Sequence, residues 1–157
     1  MATEEEEARG LAADAMVETA EGPVAMRDTP KKGFAVMTRM PDGTLGFRQL
    51  IRLEEKDDVA LVRITFDNGH TVVAGRDHLF FGVERGPVPA SELAPGDLLE
   101  TAFRYPEGYL PTGLDETPAA WGIRVTRVED AATGPVLFGT VRDTHRLYLT
   151  AGVLCAE

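Results

Sequence analysis

The sequence has few of the residues that build covalent or metal-held frameworks. Its 157 residues include one cysteine, Cys155, and three histidines. A single cysteine excludes an internal disulfide and a Cys-rich zinc site, and it is typical of a reducing compartment such as the cytosol, where we expect the protein to reside. The histidines His70, His78 and His145 are widely spaced, so no metal ion is expected.

Positive charge and long apolar segments are scarce as well. The chain has 16 Lys and Arg residues and 26 Asp and Glu residues, which gives a formal charge of -10. Nucleic acids and anionic membranes would repel such a protein, so neither is expected as a partner, and a protein is the class of partner that remains open. No apolar run approaches the roughly 20 residues of a spanning helix, and the start "MATEEEEARG" is acidic where a signal peptide is basic. We therefore expect a soluble, unexported chain.

The sequence motifs of several common enzyme classes are missing. GxGxxG, a P-loop, HExxH and GxSxG are all absent. Dinucleotide binding, phosphate binding, zinc-protease chemistry and α/β-hydrolase chemistry therefore have no support, and no cofactor is expected.

Apolar residues make up 43% of the chain, which is enough for the core of one domain. The first nine residues include four consecutive glutamates that repel one another and bury nothing. We therefore predict an acidic, disordered tail over residues 1–9 and one domain over residues 10–157.

The pattern along most of the domain is that of β-strands. In "VALVRITF", residues 59–66, apolar side chains recur at every second position, and "DNG" followed by "HTVVA" predicts a hairpin over 59–74. "FAVMTRM" and "TLGFRQLIRL" are joined by "PDG" in the same way. Further short strands are predicted between turn-forming segments such as "APGD" and "DAATG". The fold class is therefore all-β, either barrel-like or a twisted sheet.

Five phrases follow one another in an informative order: "GLAADAMVETAEGPVAMRD", "KKGFAVMTRMPDGTLGFRQL", "LVRITFDNGHTVVAGRDHLFF", "VPASELAPGDLL" and "FGTVRDTHRLYLTAGVLCAE". In this order they resemble the sequence blocks of the Hint fold, which inteins and hedgehog autoprocessing domains share. The resemblance covers residues 10–157, nearly the whole chain. It implies a pseudo-twofold horseshoe of short twisted strands and hairpins, with its two ends close together.

The resemblance also implies a chemistry. In the family, a Cys or Ser at the first block position attacks the preceding peptide carbonyl, and a histidine in a Thr-x-x-His block helps the amide nitrogen to leave. A terminal Asn then cyclises. On this alignment His78 is the block histidine, beside the amide of residue 10, and His145 is the histidine of the "Thr-His" block. Asp77 precedes His78; if the domain is active but atypical, as considered below, Asp77 would orient an imidazole.

The chain departs from the family pattern at four positions. Gly10 stands where the nucleophile should be, and Gly75 replaces the threonine that braces the site. Ala156 and Glu157 stand in place of the terminal His-Asn pair. Glycine has no nucleophile and glutamate cannot form the succinimide, so the resemblance implies a Hint-like domain without self-splicing or cleavage activity.

Two other interpretations remain open at the level of sequence. One is an active but atypical autoprocessing domain that uses His78, Asp77 and His145; the other is an unrelated acidic β-barrel that binds a partner. Individual residues also have plainer explanations. His78 could be a core histidine, and Cys155 matches an apolar family position, so we expect it to be buried. Trp121 is predicted to lie in the core or at an interface.

Overall fold

A computed structural model describes residues 8–29, 34–101, 112 and 122–157. The described residues form twelve β-strands and two single-turn 3₁₀ helices, Met26–Asp28 and Ala90–Glu92, so the all-β prediction is confirmed. Within these residues no helix has the length and apolar character needed to cross a bilayer. The strands are β1 (Leu11–Ala12), β2 (Met16–Thr19), β3 (Gly22–Ala25), β4 (Phe34–Arg39), β5 (Leu45–Phe66), β6 (Thr71–Gly75), β7 (Leu79–Gly82), β8 (Gly86–Pro89), β9 (Leu98–Leu99), β10 (Ile123–Val141), β11 (Arg146–Tyr148) and β12 (Leu154–Ala156).

Both predicted hairpins are present. β4 pairs with β5, and β5 pairs with β6, both antiparallel. In the second hairpin the turn glycine, Gly69, has φ +85°, a conformation that glycine adopts without strain. Asn68 fastens this turn to a neighbouring one, because its Nδ2 donates to the Ala151 carbonyl at 2.8 Å.

Two strands are much longer than predicted. β5 has 22 residues and β10 has 19, and they pair antiparallel along most of their length. The predicted strands "TLGFRQLIRL" and "VALVRITF" both belong to β5, with "EEKDD" between them, and "DAATG", predicted as a turn-forming segment, lies inside β10. That division is wrong: both segments continue as a two-stranded ribbon whose charged side chains lie in solvent.

The ribbon lacks a clear alternation of apolar and polar residues for a physical reason. Its pairing register shifts several times, and Arg52 and Asp58 have φ +56°. Such irregularities are β-bulges, which twist a strand and turn its side chains away from a strict alternation. A period of two residues therefore cannot be read through this part of the sequence.

The two ends of the domain meet beside the connection between β6 and β7. β1 lies between β6 and β10, where Leu11 pairs with both Ala74 and Leu137. β12 pairs with β7 through Cys155 and Phe80. Residues 76–78 join β6 to β7, so the topology places this short connection next to both the first and the last strand.

The packed part of the chain begins before β1. Ala8 is 7% exposed and belongs to a small apolar cluster, separate from the main core. Residues 1–7, which form most of the predicted tail, and Trp121 lie outside the described residues. The domain boundary at residue 10 stays a prediction.

Candidate functional site

His78 lies at the centre of the site, directly before β7. Its side chain is 1% exposed, and its Nδ1 accepts a hydrogen bond from the backbone N–H of Gly10 at 3.1 Å. That nitrogen belongs to the Arg9–Gly10 peptide bond. The structure thus brings together two residues that are 68 positions apart, in the relation that the family resemblance implies.

Burial fixes the charge state of His78. It lowers the pKa of the imidazole to about 4; the Ala156 backbone opposes this shift and the charge of Arg9 adds to it. The ring is therefore neutral near pH 7. Because Nδ1 accepts from Gly10, we assign the ring proton to Nε2, which is buried and has no hydrogen-bond partner of good geometry in the described part of the chain. Phe80 packs edge-on against the ring, with 5.7 Å between centroids.

Gly10 is held where no side chain fits. It has φ +111°, which L side chains rarely adopt. A Cβ on this backbone would lie 2.9 Å from the Val136 Cβ and 3.1 Å from the Leu137 carbonyl oxygen. The missing nucleophile is thus accompanied by a backbone that leaves no space for one.

Gly75, at the position of the family's threonine, has a comparable constraint. Its N–H donates to the Gly10 carbonyl at 2.9 Å. A Cβ here would overlap the Ala8 carbonyl oxygen and lie 2.7 Å from its carbon. The backbone of residue 8 therefore occupies the space that a threonine side chain would need.

Asp77 has a partner that the sequence did not indicate. Its Oδ2 accepts from the Ala8 N–H at 2.8 Å, and its own N–H donates to the Ala8 carbonyl at 2.9 Å. The carboxylate thus holds the chain before Gly10, whereas the atypical-activity hypothesis gave it an imidazole to orient.

The C-terminal part of the site is built around Glu157. Its Oε2 accepts from the Val141 N–H at 2.6 Å, and its Oε1 lies 3.1 Å from His145 Nδ1. The His145 side chain is 64% exposed. Ala156 ends β12 and pairs with Arg146 on β11.

The two parts of the site adjoin each other. His78 has the Gly10 amide as a partner and the Ala156 backbone close enough to influence its pKa. Arg9 and Glu157 line one shared cleft. The remaining residues of its lining are Glu54, Glu55, Lys56, Phe138 and Gly139. Gly10 and His78 are thus in direct contact, Glu157 lines the cleft that also contains Arg9, and His145 contacts Glu157.

Cys155 lies next to the site but takes no part in it. It is fully buried, and burial raises the pKa of its thiol, so it is a neutral core residue as expected. Within the described ranges, no three His, Cys, Asp or Glu side chains are grouped so that they could hold a metal ion.

Sequence reasoning missed three contributors to the site: Ala8, Val136 and the Val141 amide. Each acts through its backbone or through packing against a residue far away in the chain. Only the short block order around His78 and His145 carried a signal in the sequence.

An all-β domain with its first and last strands on either side of a buried histidine, whose ring accepts from the amide at the start of β1, has the Hint fold. Solved intein structures superimpose over nearly the whole chain. The bacterial intein-like domain from Clostridium thermocellum has a TM-score of 0.77 at 20% identity and covers 96% of this chain and 100% of its own. The DnaB intein from Synechocystis sp. PCC 6803 has a TM-score of 0.73 at 15% identity, with 94% and 98% covered.

The gp41-1 intein has a TM-score of 0.72 at 14% identity, with 96% and 100% covered. No protein-family model matches the sequence, and no curated protein matches it. At these identities the likeness establishes the fold, which confirms the predicted intein-like Hint architecture. The fold is therefore not the β-barrel of the third interpretation.

Proposed function

We propose that this protein is a Hint-fold domain without self-splicing or cleavage activity, retained in the cytosol as a structural or protein-interaction module. One observation carries the proposal: the Gly10 amide still contacts His78 at 3.1 Å, while the backbone at Gly10 has no space for a nucleophilic side chain. We call the Arg9–Gly10 peptide bond and its surroundings the N-terminal junction, and the region around Ala156 and Glu157 the C-terminal junction. At the N-terminal junction the contact between the amide and His78 is present, and the attacking atom is absent.

A further feature of the N-terminal junction supports the proposal. Negative charge would develop on the Arg9 carbonyl oxygen in a tetrahedral intermediate, and backbone donors would have to stabilise it. Two donors beside this peptide bond, the N–H groups of Gly75 and Asp77, are already bound to the carbonyls of Gly10 and Ala8.

The C-terminal junction supports the same proposal. Cyclisation needs a carboxamide nitrogen as the nucleophile, and Glu157 has only carboxylate oxygens. One of these oxygens accepts from the Val141 amide and the other contacts His145. The side chain is thus bound as an acceptor.

The test is an intact-mass time course on the purified full chain, with and without an added thiol or hydroxylamine. We expect an unchanged mass in every sample. A product that ends at Arg9 or begins at Gly10 would contradict the proposal. For the C-terminal junction the same experiment uses a chain extended beyond Glu157, and a product that ends at Glu157 would contradict the proposal.

One observation favours a second candidate, an atypical autoprocessing domain that uses water as the nucleophile. It is the preserved contact between His78 and the junction amide. In this case a reporter fused before residue 1 would be released, and His78→Ala would abolish the release. His70→Ala is the matched control, because His70 is exposed. Equal release from the unmodified protein and from the His78→Ala variant would eliminate this candidate.

A further inference from the structure

Residues 8–12, which we call the flank strand, are bound to the domain on both sides of Arg9. Leu11 pairs with β6 and β10, and the Gly10 carbonyl accepts from the Gly75 N–H. Ala8 then makes two hydrogen bonds with Asp77, one through the backbone and one through the carboxylate. The pairing therefore extends beyond the junction at Gly10, into the chain that precedes it.

The side chain of Ala8 is buried in an apolar pocket. It is 7% exposed and clusters with Val59, Leu61 and Val136. Partly buried apolar residues surround this cluster: Val73, Ala131 and Phe138. The pocket closes around a methyl group, because interiors pack densely and a larger side chain would have to displace these neighbours.

Gly75 makes this close approach feasible, since any side chain on it would overlap the Ala8 carbonyl. Arg9 differs from Ala8: it is exposed and lines the cleft that contains Glu54, Glu55 and Glu157. The domain therefore binds residue 8 by its small side chain and both backbone groups, and leaves the side chain of residue 9 in solvent.

We propose that the domain has a peptide-binding subsite for the residue two positions before Gly10, that this subsite accepts only a small side chain, and that its occupant is the chain's own preceding segment. Asp77 is the positioning residue, because it contacts both the N–H and the carbonyl of residue 8. The subsite tethers the preceding segment to the domain at Ala8. This inference goes beyond the proposed function and holds whether or not the Arg9–Gly10 bond is ever cleaved.

Limited trypsin digestion at Arg9 tests the subsite, because a protease cuts a paired strand only after it opens locally. In the native full chain we expect the Arg9–Gly10 bond to be cut at least about 10-fold more slowly than in a free peptide of residues 4–14. Ala8→Phe and Asp77→Ala should remove this protection. Asp77→Asn should retain most of it, because its amide oxygen can still accept from the Ala8 N–H.

Two controls separate local release from unfolding. Asp57→Ala removes an exposed carboxylate from the ribbon and should leave the rate unchanged. Cleavage at Arg63, inside β5, reports global unfolding, so release of the flank strand raises cutting at Arg9 without cutting at Arg63. Hydrogen exchange of the Ala8 amide gives a second, protease-free measurement: slow exchange in the native chain and fast exchange in Asp77→Ala, where its acceptor is removed.

The proposal is overturned if the native chain is cut at Arg9 as fast as the free peptide, or if Asp77→Ala and Ala8→Phe leave both the cutting rate and the exchange rate unchanged. A mass change without trypsin would contradict the proposed function and leave the subsite intact. The two failures are therefore distinguishable.

Discussion

The N-terminal and C-terminal junctions of this Hint fold depart from the family pattern in different physical ways. At the N-terminal junction, Gly10 and His78 are buried, and the backbone approaches its neighbours too closely for a side chain. At the C-terminal junction, Glu157 is held by its carboxylate, and its partner His145 is largely exposed. One junction is restricted by packing and the other by the identities of two side chains, Ala156 and Glu157.

This difference bears on any attempt to restore activity. Gly10→Cys would place a Cβ against Val136 before its thiol reached a carbonyl, so the nucleophile alone is insufficient. Glu157 makes contacts that an amide side chain could largely reproduce. The N-terminal junction must therefore be rebuilt in its backbone, whereas the C-terminal junction needs other side chains at positions 156 and 157.

The largest expected effect concerns the N-terminal junction, where buried His78 should make the free energy of unfolding depend on pH. Its folded pKa, about 4, lies below its ordinary value of 6.5, so the unfolded chain binds more protons between these pH values. The free energy of unfolding should therefore fall as the pH drops from 6.5 to 4, by about 3 kcal/mol at about 1.4 kcal/mol per pKa unit. Urea unfolding at several pH values measures it.

The matched variant is His78→Gln, which keeps an acceptor for the Gly10 amide and cannot titrate in this range. Carboxylates contribute equally to both proteins, so the difference between their pH profiles isolates the imidazole. Identical profiles would mean that His78 is hydrated in solution, and the contrast between a buried and an exposed junction would fail.

The next effect is the cost of a methyl group at Gly10. Gly22 is the matched control, because it has φ +101° and a Cβ there would have nothing within 4 Å, whereas Gly10 combines φ +111° with the contact to Val136. Gly22→Ala should cost about 1 kcal/mol for the unfavourable φ alone. Gly10→Ala adds overpacking and should cost about 2–3 kcal/mol in total.

Thermal and urea unfolding of the two variants give the comparison directly. Equal losses would show that the chain at Gly10 relaxes freely, and a Cys at this position would then be accommodated. The same result would remove the steric argument from the proposed function.

The sequence predicted the fold and part of the site for identifiable reasons. Period-two patterns predicted the hairpins, and the order of the blocks placed His78 beside residue 10, as the structure has it. Block order could not show that Gly75 makes space for Ala8, because that contact joins residues distant in the chain. Without the structure, Gly75 appears only as a missing threonine.

The ribbon of β5 and β10 shows a second kind of limit. Its charged residues are solvated and its register shifts at bulges, so neither burial nor alternation marks it as strand. The pairing becomes visible only when both strands are seen together. Long-range contacts are thus the part of this fold that local sequence patterns do not encode.

The smallest expected effect is at Glu157. Glu157→Gln keeps an acceptor for the Val141 N–H and changes only the carboxylate contact with the exposed His145, so it should cost less than about 1 kcal/mol. Glu157→Ala removes the acceptor as well and should cost about 1 kcal/mol or slightly more. Urea unfolding at pH 7 orders the two variants. A loss in Glu157→Gln as large as that of Gly10→Ala would mean that the C-terminal junction is packed as tightly as the N-terminal one, and the comparison between them would no longer hold.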